Sequence, residues 1–231
     1  MNEELTFLQE LSRMEWSPLF ISLKISLCAT LFSFVFGTAA AWFVFRCRKK
    51  VRAVWDVLFT LPLVLPPTVV GFLLLVLLGR NGLIGELLAR FDLRIIFTWQ
   101  AAVTAGAVVA FPLVYRTVRA SLEQIDPVVL DAGRTLGLPE RTIFFRIMLP
   151  MALPGCVAGA ILGFARALGE FGATLMIAGN IPGRTQTIPI AIWSAAESDS
   201  MFAAGIWVGI IILTSFLVIL PLNFWGGRNH A

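Results

Sequence analysis

Long uncharged stretches alternate with short charged ones along this chain. The uncharged runs cover 25–45, 57–79, 95–115, 147–165 and 200–227. Each approaches or exceeds the roughly 20 apolar residues that an α-helix needs to cross a bilayer. The fourth continues past Arg166 and Glu170 to residue 177. We therefore predict one all-α transmembrane domain over 1–231, with about five spans at 17–45, 54–79, 95–116, 148–177 and 200–225.

Composition supports a membrane protein, because 58% of the residues are hydrophobic and only 14% are charged. These values exclude an ordinary soluble enzyme. Lysine and arginine crowd two connections, at 46–52 and 116–146. Since short basic loops stay in the cytoplasm, we predict a cytoplasmic loop at 117–147, an outer amino terminus and a cytoplasmic carboxyl terminus. The net charge of +4 then reflects topology and implies no nucleic-acid partner.

Residues suited to catalysis or metal binding are scarce. The single histidine is His230, the three cysteines show no paired spacing, and no G-x-x-x-x-G-K phosphate loop occurs. We therefore predict no catalytic residue, metal site or cofactor in this chain. If ATP drives the protein, ATP and Mg²⁺ must be bound by a partner ATPase.

The cytoplasmic loop carries signals for two short helices. Asp126-Pro127 can open the first and Gly137 can close it, while Pro139 can open a second that runs to a break at Pro150. In the first helix, Val129, Gly133 and Leu136 share an apolar face, with Ala132 beside Gly133. We interpret the small residues as a notch that admits a partner's side chain.

The spacing of this loop is similar to the segment that permeases of bacterial ABC importers present to their ATPase. Here it reads D-A-G-x-x-x-G, nine residues, then I-x-L-P. An ordinary amphipathic loop would explain neither the breaks nor the spacing. The resemblance implies an ATPase-docking surface made by Asp131, Ala132, Gly133, Leu136, Gly137, Ile147, Leu149 and Pro150.

Two spans contain features that disturb a regular helix. In the second, Pro62, Pro66 and Pro67 each remove a backbone donor and must bend the helix, either as a fixed bend or as a hinge or constriction. In the fourth, Gly155, Gly159, Gly163 and Ala167 form a small-residue ridge that permits close helix packing.

Charged residues lie next to the ridge of the fourth span. Arg166, Glu170 and Thr174 follow at four-residue spacing and are predicted to stack along one face. Ionisable groups at this depth face a bundle interior or a water-filled cavity. Arg166 and Glu170 are either a neutralising pair that fixes helix rotation or a polar gate for an anion. With Pro66 and Pro67, they are our candidate pathway residues.

The segment 165–173, A-R-A-L-G-E-F-G-A, resembles a stretch shared by permeases for molybdate, sulfate and related oxyanions. Residues 61–71, 79–85 and 180–189 are similar to the permease subunits of molybdate ABC importers in particular. Together with the docking segment, these stretches cover most of 61–189. The short amino terminus and the five predicted spans also fit the compact form of that subunit.

This resemblance implies a type I ABC importer permease in the bacterial inner membrane. The implied assembly is a homodimer of this chain, two ABC ATPase subunits, and a periplasmic or lipid-anchored molybdate-binding protein. The cargo is expected to be molybdate or tungstate, with sulfate or thiosulfate as the alternative. An ATPase-independent channel or secondary transporter is a further alternative, against which the five spans and the scarcity of acidic residues within them argue.

Overall fold

The computed structural model describes the backbone of residues 15–226 and the side chains of residues 15–220. His230 lies outside the described residues. So do both termini, for which we predict an outer amino end and a cytoplasmic carboxyl end. Within this part every regular element is a helix, which confirms the all-α class. In chain order the α-helices are α1 (Ser17–Phe45), α2 (Lys49–Val64), α3 (Pro67–Leu78), α4 (Leu83–Ala89), α5 (Trp99–Glu123), α6 (Pro127–Thr135), α7 (Glu140–Ile143), α8 (Leu149–Met151), α9 (Leu153–Leu168), α10 (Gly172–Ala178), α11 (Ile188–Glu197) and α12 (Met201–Gly226).

Three of these helices, α1, α5 and α12, are long and apolar enough to cross a membrane. Two further crossings arise if each of two bent helix pairs forms one span. The pair α2 and α3 bends by 109° at the predicted proline cluster, where Leu65 and Pro66 have extended backbone. The segment Glu140–Met151 meets α9 at an angle of 72°.

The core forms where α1, α5 and α9 pack against one another, and small residues set their close spacing. A Cβ on Gly106 of α5 would lie 3.1 Å from that of Ala29 on α1. A Cβ on Gly163 of α9 would lie 2.8 Å from Cγ2 of Val114 on α5, and one on Gly159 would lie 3.4 Å from Cβ of Thr117. The predicted small-residue ridge is thus a packing surface, and it faces α5.

The fourth span is not the single helix that the sequence analysis predicts. Helix α9 ends at Leu168, and α10 begins only at Gly172. Glycines at 169 and 172 are poor helix formers, and the Glu170 carboxylate accepts a hydrogen bond that starts a new helix. The predicted stacking of Arg166, Glu170 and Thr174 along one continuous helix face is therefore wrong, because Thr174 belongs to the second helix.

The predicted break at Pro150 occurs, but two residues later than expected. Pro139 opens α7 as expected, but helical structure continues through a π-helical turn at Phe144–Met148 and past Pro150 to Met151. The wider turn relieves the clash that a proline ring makes with the carbonyl four residues earlier in a regular α-helix. The chain bends instead at Ala152, directly before the first turn of α9.

Candidate functional site

The first candidate site lies where two helix breaks meet. A Cβ on Gly172, at the start of α10, would lie 3.2 Å from Cβ of Pro67 at the start of α3. Further along, a Cβ on Gly71 would lie 2.8 Å from Cα of Ala173. Helices α3 and α10 therefore begin side by side and run parallel. No side chain fits at Gly71 unless these two helices move apart.

The Glu170 carboxylate holds this junction together. Its side chain is only 1% exposed. Oε1 accepts a hydrogen bond from the backbone N–H of Ala173 at 2.9 Å, and Oε2 pairs with Nη1 of Arg166 at 2.8 Å. One buried carboxylate thus caps the start of α10 and neutralises an arginine at the end of α9. The predicted Arg166–Glu170 pair is confirmed, and the gating role stays a prediction.

The remaining pathway candidates differ in exposure. Pro66 and Pro67 are both exposed in the single chain, as their place at the bend allows. The carbonyl of Pro66 accepts hydrogen bonds from Val69 and Val70, so the start of α3 is satisfied within the chain. The Arg166 side chain is 27% exposed, so the junction does not enclose it fully.

The second candidate site is the loop helix α6, whose two ends form as predicted. The Asp126 carboxylate accepts a hydrogen bond from the Val128 N–H at 2.9 Å, and Pro127 occupies the first turn. Gly137 has φ +75°, and the N–H groups of Gly137 and Leu138 return to the carbonyls of Arg134 and Gly133. This is a Schellman ending, which favours glycine at the left-handed position.

The interpretation of Gly133 as a notch for a partner is wrong. Gly133 is buried, and a Cβ there would lie 3.3 Å from Cδ1 of Ile147 and 3.4 Å from Cγ1 of Ile143. The chain's own following helix fills the notch. The exposed apolar face of α6 instead consists of Val128, Ala132 and Leu136, which lie at four-residue spacing, and Val128 and Leu136 are 70% and 79% exposed.

Some of the other docking candidates are exposed beside this surface, and the rest are half-buried behind it. Asp131, Gly137 and Pro150 are exposed, whereas Ile147 and Leu149 are half-buried. The exposed Asp131 accepts a bond from Arg134 at 2.8 Å, and Arg134 also reaches Glu140 of α7 at 2.8 Å. The Arg134 guanidinium lowers the pKa of Glu140, while the two carboxylates raise the pKa of Arg134. Of these contacts, the Arg134–Glu140 pair links α6 to α7.

A polar cluster that the sequence analysis missed joins α1, α2 and α5 just before the docking loop. Arg119 pairs with Asp56, and the Tyr115 hydroxyl donates to the same carboxylate. Glu123 accepts from Nε of Arg119 at 3.0 Å and from Nη1 of Arg52 at 3.1 Å. Arg52 also donates to the Phe45 carbonyl at 2.8 Å. The available signals were Asp56 within apolar α2 and the four-residue spacing of Tyr115, Arg119 and Glu123.

Comparison with known proteins gives one family over most of the chain. The family described as "Binding-protein-dependent transport system inner membrane component" matches residues 33–224. The molybdenum transport system permease protein ModB of Escherichia coli (strain K12) is 44% identical, over 93% of this chain and 94% of that protein. The ModB protein of Haemophilus influenzae is 43% identical, over 92% and 93%. The sulfate transport system permease protein CysT of E. coli is 36% identical, over 88% of this chain and 73% of that protein.

Solved structures resemble the fold at low sequence identity. An inward-facing MetNI methionine ABC transporter has a TM-score of 0.68 at 16% identity, over 89% of this chain and 91% of that chain. A bacterial ABC transporter that imports alginate has a TM-score of 0.71 at 14% identity, over 93% and 79%. These similarities concern the fold alone.

Proposed function

Because the chain belongs to the family of binding-protein-dependent transport system inner membrane components, we propose that it is the subunit through which molybdate, and with it tungstate, enters the cytoplasm. It is a multi-pass inner-membrane permease, and ATP hydrolysis belongs to a separate subunit. The observation that carries the molybdate assignment is the 44% identity to a molybdenum permease over nearly the full length of both chains. Identity to the sulfate permease is lower, at 36%, and covers 73% of that longer protein.

As the membrane component of such an importer, the chain works with an ATPase and a binding protein. We also propose how many copies of each subunit the assembly contains and where they bind. Two copies of the chain enclose one pathway, and two ABC ATPase subunits dock beneath their α6 helices. A periplasmic or lipid-anchored molybdate-binding protein delivers the anion from the other side. The arginine-rich character of the connections at 46–52 and 116–146 supports a cytoplasmic α6 and an outer amino terminus.

For ATPase docking we propose the exposed α6 surface, made by Val128, Ala132 and Leu136 with Asp131 beside them. A short apolar helix face of this kind suits a hydrophobic groove on a partner. Gly133, Ile147 and Leu149 support the surface from behind, since Ile147 packs over Gly133. Gly133 packs against Ile143 and Ile147, and Arg134 pairs with Glu140, so α6 and α7 move as one body when the ATPase closes.

For the pathway we propose the junction of α3 and α10. Arg166 attracts an oxyanion, while the Glu170 carboxylate beside it limits how tightly that anion is held. A weak site of this kind favours passage over retention. Pro66 and Pro67 place the α2–α3 bend at the same junction. A change in the bend would therefore alter the surroundings of the Arg166–Glu170 pair.

The test is ATP-dependent uptake of labelled molybdate by proteoliposomes that contain this chain, its ATPase and its binding protein. Competition by excess tungstate but not by excess sulfate is the expected result. Strong competition by sulfate would move the cargo to the sulfate class. Uptake that persists without the ATPase would contradict an ATP-driven mechanism.

A further inference from the structure

An open apolar groove lies between α1, α2 and α5, away from the α3–α10 junction and the α6 surface. Its volume is about 660 Å³. Phe32 and Phe36 of α1 and Leu58 of α2 line it and are each more than half exposed. The groove therefore opens to the surroundings of the helix bundle, and in a bilayer those surroundings are lipid or another membrane protein.

The groove has one polar end. Trp99 and Gln100, which begin α5, line this end, and Phe111 lies twelve residues further along the same helix. At about 1.5 Å per residue the distance is roughly 18 Å. The hydrocarbon core of a bilayer is about 30 Å thick, so one leaflet is about 15 Å thick. A groove of this length, polar at one end and apolar along the rest, matches one lipid acyl chain below its headgroup.

Two polar side chains within the groove do not change its apolar character. The Ser33 hydroxyl donates to the Ala107 carbonyl at 2.8 Å, and the Thr104 hydroxyl donates to the Gln100 carbonyl at 2.9 Å. Both hydroxyls are thus satisfied by backbone. The surface left for an occupant is mainly aromatic and aliphatic.

A positive charge lies at the polar end. The Nζ of Lys24 lies 3.8 Å from the ring centroid of Trp99, and Lys24 is one helical turn from Cys28 in the groove wall. Among the described residues, the salt bridges do not include Lys24. Lys24 is seven residues into α1, about 10 Å along the helix. An aromatic face offsets only part of the cost of a cation at that position.

We propose that this groove binds one acyl chain of an anionic phospholipid, with the lipid phosphate on Lys24. A second copy of the chain is a poorer occupant, because the acidic side chains within its described spans are already paired, and its exposed Glu86 and Glu197 lie on short helices outside those spans. Glu170 is buried against Arg166, and Asp56 pairs with Arg119. A lipid supplies both the apolar chain and the negative charge. An unpaired lysine near the membrane surface attracts an anionic headgroup by opposite charge.

The experiment is native mass spectrometry of the purified full-length chain, titrated with phosphatidylglycerol or with phosphatidylcholine. We expect the wild type to prefer phosphatidylglycerol, and the preference to fall about fivefold in Lys24→Gln. Lys24→Arg should keep the preference, and so should the control Lys50→Gln, which removes a lysine at the start of α2. An unchanged preference in Lys24→Gln would overturn the proposal.

The groove itself is tested by a matched pair on α2. Leu58→Trp adds bulk to the groove wall and should reduce the binding of both lipids. Leu61→Trp makes the same change at an exposed residue outside the lining and should leave binding intact. A photoreactive amino acid at position 32 should crosslink to lipid. A crosslink to a second copy of the chain, or equal binding by the two tryptophan variants, would overturn the proposal.

Discussion

Glu170 pairs with the Arg166 guanidinium and accepts a hydrogen bond from the Ala173 N–H in the first turn of α10. Removal of Arg166 alone leaves a buried carboxylate with one hydrogen bond and no counter-charge. A neutral glutamine at 170 keeps an oxygen that can accept from the Ala173 N–H. The charge role and the capping role of Glu170 can therefore be separated by substitution.

We expect Arg166→Ala to destabilise the purified chain by about 1–3 kcal/mol, because it leaves a buried charged group unpaired. Adding Glu170→Gln should restore most of this loss. Thermal unfolding in detergent, analysed as a double-mutant cycle, measures the coupling. Additive effects would contradict the pair. If the stable double variant still fails in the uptake assay, the pair also acts in the pathway; recovered uptake would limit it to a structural role.

The direction in which the pKa of Glu140 is shifted predicts how ATPase binding depends on pH. Arg134 lowers its pKa in the folded loop. A carboxylate with a lowered pKa contributes stability above its unfolded pKa of about 4.3 and loses it as the pH falls through the lower folded value. ATPase binding should therefore not change through Glu140 between pH 8 and about pH 5. Glu140→Gln should weaken binding slightly and equally over this range; a loss near pH 6 in the wild type alone would contradict the assignment.

Helix α6 shows which features of a short helix are readable from sequence and which are not. Its caps follow from local chemistry, since Asp126, Pro127 and Gly137 act within a few residues of their own positions. Its buried face depends on where α7 and the π-helical turn return, and four-residue spacing fits two adjacent faces equally well. The spacing of Val129, Gly133 and Leu136 favours the face with Gly133, whereas the structure exposes the face with Ala132.

Two neighbouring valines distinguish these faces. Val128 is 70% exposed and Val129 is 37% exposed. Aspartate is compatible with the first turn of a helix at either position. We expect Val128→Asp to abolish co-purification of the ATPase and Val129→Asp to reduce it much less. The reverse order would return the docking surface to the side of Gly133.

The contact between α3 and α10 depends on Gly71. A methyl group there meets the backbone of Ala173, so Gly71→Ala must separate the two helices. We expect a loss of roughly 1–3 kcal/mol in stability, as for other overpacked sites. Gly205→Ala on α12 is the control, because nothing lies within 4 Å of its added Cβ. Equal unfolding temperatures for the two variants would contradict the close contact.

The architecture was predictable where one physical effect dominates. Uncharged length predicts helices that cross a bilayer, and Pro66-Pro67 predicts a bend, but neither determines the 109° angle between α2 and α3. To predict the break after Leu168, one must know that the Glu170 carboxylate accepts a hydrogen bond from the Ala173 N–H. To predict the cluster around Asp56, one must know that α2 packs on α5, which brings together Asp56 and Tyr115, 59 positions apart. Long-range contacts of this kind leave only weak local signals in a single sequence.

Our prediction of the side of the membrane on which each connection lies rests on charge alone, and a native cysteine can test it. Cys47 lies in the basic connection between α1 and α2, which we predict to be cytoplasmic. A membrane-impermeant maleimide should label it in inverted vesicles and not in intact spheroplasts. Arg184→Cys, in the turn that follows Gly183 and combined with Cys47→Ser, should show the opposite pattern. Because the bilayer separates α6 from the binding-protein side, the reverse labelling would place the docking helix away from any cytoplasmic ATPase and would contradict the proposed assembly.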